Sequence, residues 1–138
     1  MMTQKYLNDL TFKIIGAAIE VHKELGPGLL ESIYEQCLSH ILRQNGHLIT
    51  KQLKVPVTFR GLTMDAELRL DILVDECYIV EVKATEILLP VHEAQLMTYL
   101  KLLHLPKGIL INFNCMNIFK EGQRTKVTEI YAQLPKGY

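Results

Sequence analysis

The positions of apolar residues divide the chain into two helical stretches followed by a longer stretch with a strand-like pattern. From about Asn8 to Leu25, apolar side chains recur every three or four residues, and Gly26-Pro27-Gly28 ends this pattern. A second stripe of the same kind runs from about Leu29 to Gln44 and stops at Asn45-Gly46. Because the break between the stripes is short, we expect a tight corner between two helices.

Beyond Gly46 the pattern changes to alternation and to short apolar runs rich in β-branched residues. A helical pattern returns from about Glu93 to Leu103. The predicted strands lie near Leu48–Phe59, Leu68–Val74, Tyr78–Ala84 and Lys107–Phe113, with one more near Lys126–Tyr131. This order of elements predicts a mixed α/β fold, with helices against a sheet, in one domain spanning residues 1–138.

Three charged residues interrupt the two most apolar of these strands. Asp71 lies in the first of them, and Glu81 and Lys83 lie two residues apart in the second. Side chains alternate across a strand, so Glu81 and Lys83 share a face of the sheet. Two carboxylates and an amine on one face can hold a divalent cation and poise a water molecule. The alternative is a set of solvated charges on an exposed sheet face.

The length of the turn between these strands decides whether Asp71 joins the other two residues. A two-residue turn would pair Val74 with Cys77 and place Asp71 on the opposite face from Glu81. A three-residue connection would pair Val74 with Tyr78 and set Asp71 opposite Glu81, and a single bulge would have the same effect. The metal-site interpretation therefore predicts an odd loop or a bulge at this turn.

Composition and charge limit the classes of function that the protein can have but do not identify one. Nearly half of the 138 residues are apolar, and 15 acidic residues balance 15 basic ones. Zero net charge argues against strong non-specific binding of nucleic acid, although a local basic patch or a second subunit could supply a positive field. The three cysteines are far apart and lack a C-x-x-C motif, so free thiols are predicted. No secretory signal or membrane-length apolar run is visible, so we expect a cytoplasmic location without a membrane partner.

The order of helix, three strands, helix and strand, with D…E-x-K on its central hairpin, resembles the PD-(D/E)XK nuclease superfamily. Gly28 to Tyr34 also matches G-x-x-E-x-x-Y, the signature of a small bacterial family placed in that superfamily, and the likeness extends from about Ile14 to Phe119. The proline that usually precedes the first acid is replaced by Leu70. The resemblance implies a restriction-endonuclease-like core, α-β-β-β-α-β, with a mixed sheet flanked by helices.

The resemblance also implies roles for the charged cluster. Asp71 and Glu81 would bind Mg²⁺ or Mn²⁺, with the backbone carbonyl of Val82 completing the ligand set. Lys83 would orient the attacking water and stabilise negative charge on phosphate. Glu31, the acid of G-x-x-E-x-x-Y, would join them as a catalytic residue from the preceding helix, or else serve only the helix dipole.

Four further residues are candidates by the same resemblance. Gln95 and Tyr99 share a helix face after E-x-K, as in the extra motif of RecB-like nucleases, where the glutamine reaches the active site and the tyrosine braces the helix or meets nucleic acid. Tyr34 is expected to pack in the core, with its hydroxyl available to the site. His92 lies one turn before Gln95 and could reach the same pocket or cap the helix.

Two functions follow as hypotheses. The first is a metal-dependent nuclease that hydrolyses phosphodiester bonds of nucleic acid, with DNA as the expected substrate. The alternative is a catalytically inactive nuclease-fold module for dimerisation or protein interaction. A homodimer is compatible with either hypothesis.

Overall fold

A computed structural model describes all 138 residues and confirms the mixed α/β fold. The helices are α1 (Gln4–Leu25), α2 (Glu31–Gln44), α3 (Pro90–Leu102), α4 (Ile118–Glu121) and α5 (Glu129–Gln133). The strands are β1 (Ile49–Lys54), β2 (Val57–Phe59), β3 (Leu62–Met64), β4 (Arg69–Val74), β5 (Tyr78–Lys83), β6 (Lys107–Asn112) and β7 (Gln123–Val127). No helix combines the length and apolarity that crossing a bilayer requires.

Five strands form the main sheet in the order β1-β4-β5-β6-β7. The β5–β6 pair is parallel and the other pairs are antiparallel, so the sheet is mixed, as expected for a restriction-endonuclease-like core. Because side chains alternate along β5, the strand contributes to a hydrophobic cluster on each face of the sheet. Val80 and Val82 join the cluster that contains α1 and α2, whereas Ile79 joins a smaller cluster with Leu96 and Leu100 of α3.

The turn between β4 and β5 has the odd length that the metal-site interpretation requires. Val74 pairs with Tyr78 and Ile72 with Val80, so three residues connect the strands. Continuing this register by one step sets Asp71 opposite Glu81. Loop residues Asp75 and Glu76 have φ angles of 51° and 60°, so a short left-handed segment accommodates the extra residue.

The predicted strand near Leu48–Phe59 is two strands. Regular pairing with β4 ends at Lys54, and Val55-Pro56 separates it from β2. Proline has no N–H for the ladder, which explains the break. The short strand Leu62–Met64 was not expected, and it pairs with β2 in a separate two-stranded sheet.

Two boundaries toward the C-terminus also differ from the prediction. The strand expected near Lys126–Tyr131 lies at Gln123–Val127, and residues 129–133 are helical. This strand is at the edge of the sheet and largely exposed, so its sequence carries no apolar alternation to mark it. Helix α3 begins at Pro90 rather than Glu93, because proline suits the first turn of a helix.

Gly108 lets α3 pack closely on β6 and yields a test of the packing. A Cβ atom there would lie 2.9 Å from Leu96 Cδ1 and 3.0 Å from the Ile79 carbonyl oxygen. We expect Gly108→Ala to lower the free energy of unfolding by about 1–3 kcal/mol in urea denaturation. Gly16, within α1, has open space around its Cα, so Gly16→Ala should raise the same quantity by about 0.5–1 kcal/mol. Equal stability of the two variants would contradict this account.

Candidate active site

Asp71 and Glu81 lie side by side where regular pairing between β4 and β5 ends. The backbone N–H of Asp71 donates to Glu81 Oε1 at 3.2 Å, and the backbone N–H of Val82 donates to Asp71 Oδ2 at 2.7 Å. Each carboxylate therefore takes a hydrogen bond from the opposite strand. These two bonds fix the carboxylates relative to each other and leave Asp71 Oδ1 and Glu81 Oε2 without a protein donor.

Burial makes this pair electrostatically costly. Glu81 is only 3% exposed, and Asp71 is half-buried. Desolvation, and secondly the Asp71 carboxylate, raise the pKa of Glu81 to about 9, although the backbone hydrogen bond from Asp71 and the Lys83 cation act in the opposite direction. The protein's own groups therefore compensate the ionised form of Glu81 only in part.

The donor set fits a hard divalent cation. Two adjacent carboxylates, each with one oxygen not hydrogen-bonded to protein, are the ligands that Mg²⁺ and Mn²⁺ prefer, and a cation would offset the repulsion between them. Nowhere in the chain do three His, Cys, Asp or Glu side chains come together as a metal-binding group. The ligand set expected from sequence has only two such side chains, with the Val82 carbonyl as the third donor.

Helix α2 contributes acidic groups next to this pair. Glu31 is exposed, and its Oε1 accepts a hydrogen bond from the Ala84 N–H at 3.4 Å, just beyond Lys83. Glu35, one turn further along the helix, is 8% exposed. Burial raises the pKa of Glu35, and the charge of Asp71 adds to this effect, so Glu35 lies near Asp71.

Glu35 and its partner Gln52 were not expected from the sequence. Gln52 Nε2 donates to both carboxylate oxygens of Glu35, at 3.1 and 3.0 Å. Gln52 stands opposite Asp71 in the register of β1 and β4, where regular pairing is interrupted, and its φ angle is 53°. The four-residue spacing from Glu31 was a usable signal for Glu35, since both lie on one face of α2. No sequence signal marks the backbone of Gln52.

Tyr34 braces the corner before α2 rather than contributing its hydroxyl to the site. Its Oη donates to the Gly26 carbonyl oxygen at 2.5 Å and accepts from the Leu29 N–H at 3.1 Å. Its ring stacks on Phe113, with centroids 4.5 Å apart and an angle of 5° between the planes. No hydrogen bond joins this hydroxyl to the acidic groups. The tyrosine instead fixes the start of the helix that carries Glu31.

Asn112 fixes the segment that follows Lys83. Asn112 is the partner of Lys83 in the β5–β6 register and is 5% exposed. Its Oδ1 accepts from the Thr85 N–H at 3.1 Å, and its Nδ2 donates to the Thr85 carbonyl oxygen at 2.9 Å. Lys83 itself is half-buried and close enough to Glu81 to favour the ionised carboxylate. The exit of β5 is thus held in place while the lysine stays accessible.

The three candidate residues on α3 differ in their positions relative to the carboxylate pair. Tyr99 is 4% exposed, and burial, followed by the charges of Glu81 and Asp71, raises its pKa, so the residue lies near the carboxylate pair. Gln95 is exposed and makes no hydrogen bond to any of the acidic groups. His92 Nδ1 accepts from the Leu89 N–H at 3.0 Å, so the histidine caps the helix, which is one of the two roles expected for it.

A family model of the PD-(D/E)XK nuclease superfamily matches residues 8–125, most of the chain. The chain therefore belongs to the PD-(D/E)XK nuclease superfamily. Searches of curated proteins and of solved structures gave no match.

The buried pair predicts a pH dependence of stability. With a pKa of about 9 in the folded chain and about 4.3 when unfolded, Glu81 binds more protons in the folded state between these values. In EDTA the free energy of unfolding should therefore fall as pH rises from 5 to 8, by at most about 1.4 kcal/mol per unit from this one group. Glu81→Gln should remove this contribution in urea denaturation.

The matched control is Glu20→Gln, which replaces an exposed carboxylate of α1. It should keep the pH dependence of the wild type. The account is contradicted if the curves for Glu81→Gln and the wild type stay parallel across this range.

Proposed function

We propose that this protein is a metal-dependent nuclease that hydrolyses phosphodiester bonds of nucleic acid, with DNA as the first substrate to test. One observation carries the proposal. The three-residue β4–β5 connection sets Asp71 opposite Glu81, and Lys83 shares a sheet face with Glu81. Membership of the PD-(D/E)XK nuclease superfamily supports the same chemistry.

Asp71 and Glu81, with the Val82 carbonyl, would hold Mg²⁺ or Mn²⁺, which when bound supplies a Lewis acid for the phosphate oxygens. The chain's own groups do the remaining work. The Lys83 ammonium orients the attacking water and stabilises the negative charge that develops as the water–phosphorus bond forms and the ester bond breaks. Glu31 and Glu35 of α2 and Tyr99 of α3 lie near the pair and would complete its surroundings. We assign Gln95 a role in contacting the substrate only, since it is exposed.

We also infer membership of the narrower family named for G-x-x-E-x-x-Y. The contacts of Tyr34 give that motif a physical meaning, because the tyrosine ties Gly26 and Leu29 into the corner that precedes Glu31. The acid then reaches the Ala84 N–H at the end of β5. The motif would thus position a carboxylate of α2 against the strand that carries E-x-K.

Cleavage of labelled DNA and RNA oligonucleotides in Mn²⁺ tests the proposal. We expect Asp71→Asn and Lys83→Ala each to lower the cleavage rate by about 100-fold or more, because each removes a group that acts on the reacting phosphate. Circular dichroism should show that both variants remain folded.

Lys101→Ala is the matched control, since it removes an exposed lysine of α3. Its cleavage rate should equal that of the wild type. If the wild type, Asp71→Asn and Lys83→Ala all cleave at one rate, the activity has another source and the assignment fails.

A scaffold without catalytic activity is the second candidate, and the zero net charge of the chain favours it. Metal binding separates the two functions, since a cation bound only by the folded state must stabilise that state. If the protein is a nuclease, millimolar Mn²⁺ should raise the melting temperature of the wild type by several degrees. Asp71→Asn should abolish this shift, and Asp9→Asn, which replaces an exposed aspartate of α1, should preserve it. Absence of a shift in the wild type would favour the scaffold.

A further inference from the structure

The two-stranded sheet formed by β2 and β3, residues 57–64, is a ribbon with one apolar face. Val57 pairs with Met64 and Phe59 with Leu62, so these four side chains share one face, and Thr58 and Thr63 occupy the other. Phe59 is 60% exposed and Leu62 is 59% exposed. Apart from their pairing with each other, neither strand packs extensively against a helix or another strand. Large apolar side chains that no part of the chain covers indicate a binding surface.

The ribbon is rooted beside the candidate active site. It extends from the ends of β1 and β4, where Lys54 pairs with Arg69 and the Val55 N–H donates to the Leu68 carbonyl oxygen at 2.8 Å. Asp71 lies only two residues beyond Arg69. The base of the ribbon and the first acid of the candidate site therefore lie next to each other along β4.

The tip of the ribbon combines an aromatic ring with a cation. The guanidinium carbon of Arg60 lies 5.3 Å from the centroid of the Phe59 ring. No acidic residue occurs within residues 57–64, and Arg69 at the base of the ribbon is exposed. Aromatic and aliphatic side chains stack on bases or wedge between them, and a guanidinium binds phosphate.

We propose that residues 57–64 are a nucleic-acid-binding ribbon, in which Phe59 and Leu62 pack against bases and Arg60 binds a phosphate of the strand presented to the site. This inference rests on the proposed function, which makes nucleic acid the molecule next to the ribbon. A second copy of the chain fits less well. A stable dimer buries about 800 Å² per partner, whereas this face offers four side chains beside an arginine.

Fluorescence anisotropy with a labelled single-stranded oligonucleotide and a labelled duplex tests the ribbon. The titrations are made in EDTA, so that no strand is cleaved. We expect Phe59→Ala to weaken binding of at least one of these probes about tenfold or more. Arg60→Ala should weaken binding and reduce the slope of log affinity against log salt concentration by about one.

Phe12→Ala is the matched control, because Phe12 is an aromatic residue of α1 that is 66% exposed. It should bind both probes like the wild type. The inference is overturned if Phe59→Ala binds like Phe12→Ala, or if the wild type binds neither probe. It is also overturned if sedimentation shows a dimer that only Phe59→Ala dissociates, because a second copy would then occupy the ribbon.

The binding and cleavage measurements distinguish failure of the ribbon proposal from failure of the nuclease proposal. Binding that depends on Phe59 in a protein that cleaves nothing would support the ribbon and refute the nuclease. Cleavage by the wild type, together with unchanged binding and cleavage by Phe59→Ala, would refute the ribbon and leave the nuclease intact.

Discussion

The register of the β4–β5 hairpin is the constraint on which the candidate site depends. Shifting a strand by one residue would move every side chain to the other face of the sheet. The three-residue loop is fixed by Asp75, whose Oδ1 accepts from the Leu48 N–H at 2.9 Å and whose Oδ2 lies 2.8 Å from His47 Nδ1. A loop aspartate anchored just before β1 thus stabilises the loop whose length sets Asp71 opposite Glu81.

The register places two carboxylates, those of Asp71 and Glu81, close together in a largely buried position, which is electrostatically unfavourable. Two carboxylates lie together near α3, and the hydrogen bonds that they accept come from backbone N–H groups of the facing strands. Hydrogen bonds also fix the neighbouring backbone, because Asn112 holds the exit of β5 and Tyr34 holds the start of α2. Carboxylates held side by side by backbone hydrogen bonds are suited to bind a cation, and a perturbed pKa such as that of Glu81 is typical of functional sites.

Much of this arrangement could be predicted from the sequence. Charges within apolar strands marked Asp71, Glu81 and Lys83, and counting residues in the turn gave the loop length that the site needs. The structure confirms that length and the mixed sheet. Local patterns succeed here because a strand with both faces buried leaves few alternatives for a charged side chain.

The parts that could not be predicted depend on tertiary contacts. The sequence does not mark Glu35 as a site residue, because its neighbours Gln52 and Asp71 come close to it only in the folded chain. The ribbon could not be predicted because its three-residue strands are too short to show an alternating pattern. The predicted bounds of β7 differ from the observed ones because an exposed edge strand needs no apolar alternation. Gln95 was inferred from helix spacing alone, which does not say how far a helix face extends over the site.

Direct binding of Mn²⁺, followed by the electron paramagnetic resonance signal of the free ion, tests the central claim that Asp71 and Glu81 form a cation site. The wild type at neutral pH should remove free Mn²⁺ from solution at a saturable site, whereas Asp71→Asn and Glu81→Gln should not. Equal binding by the wild type and both variants, or no binding by the wild type, would contradict the account.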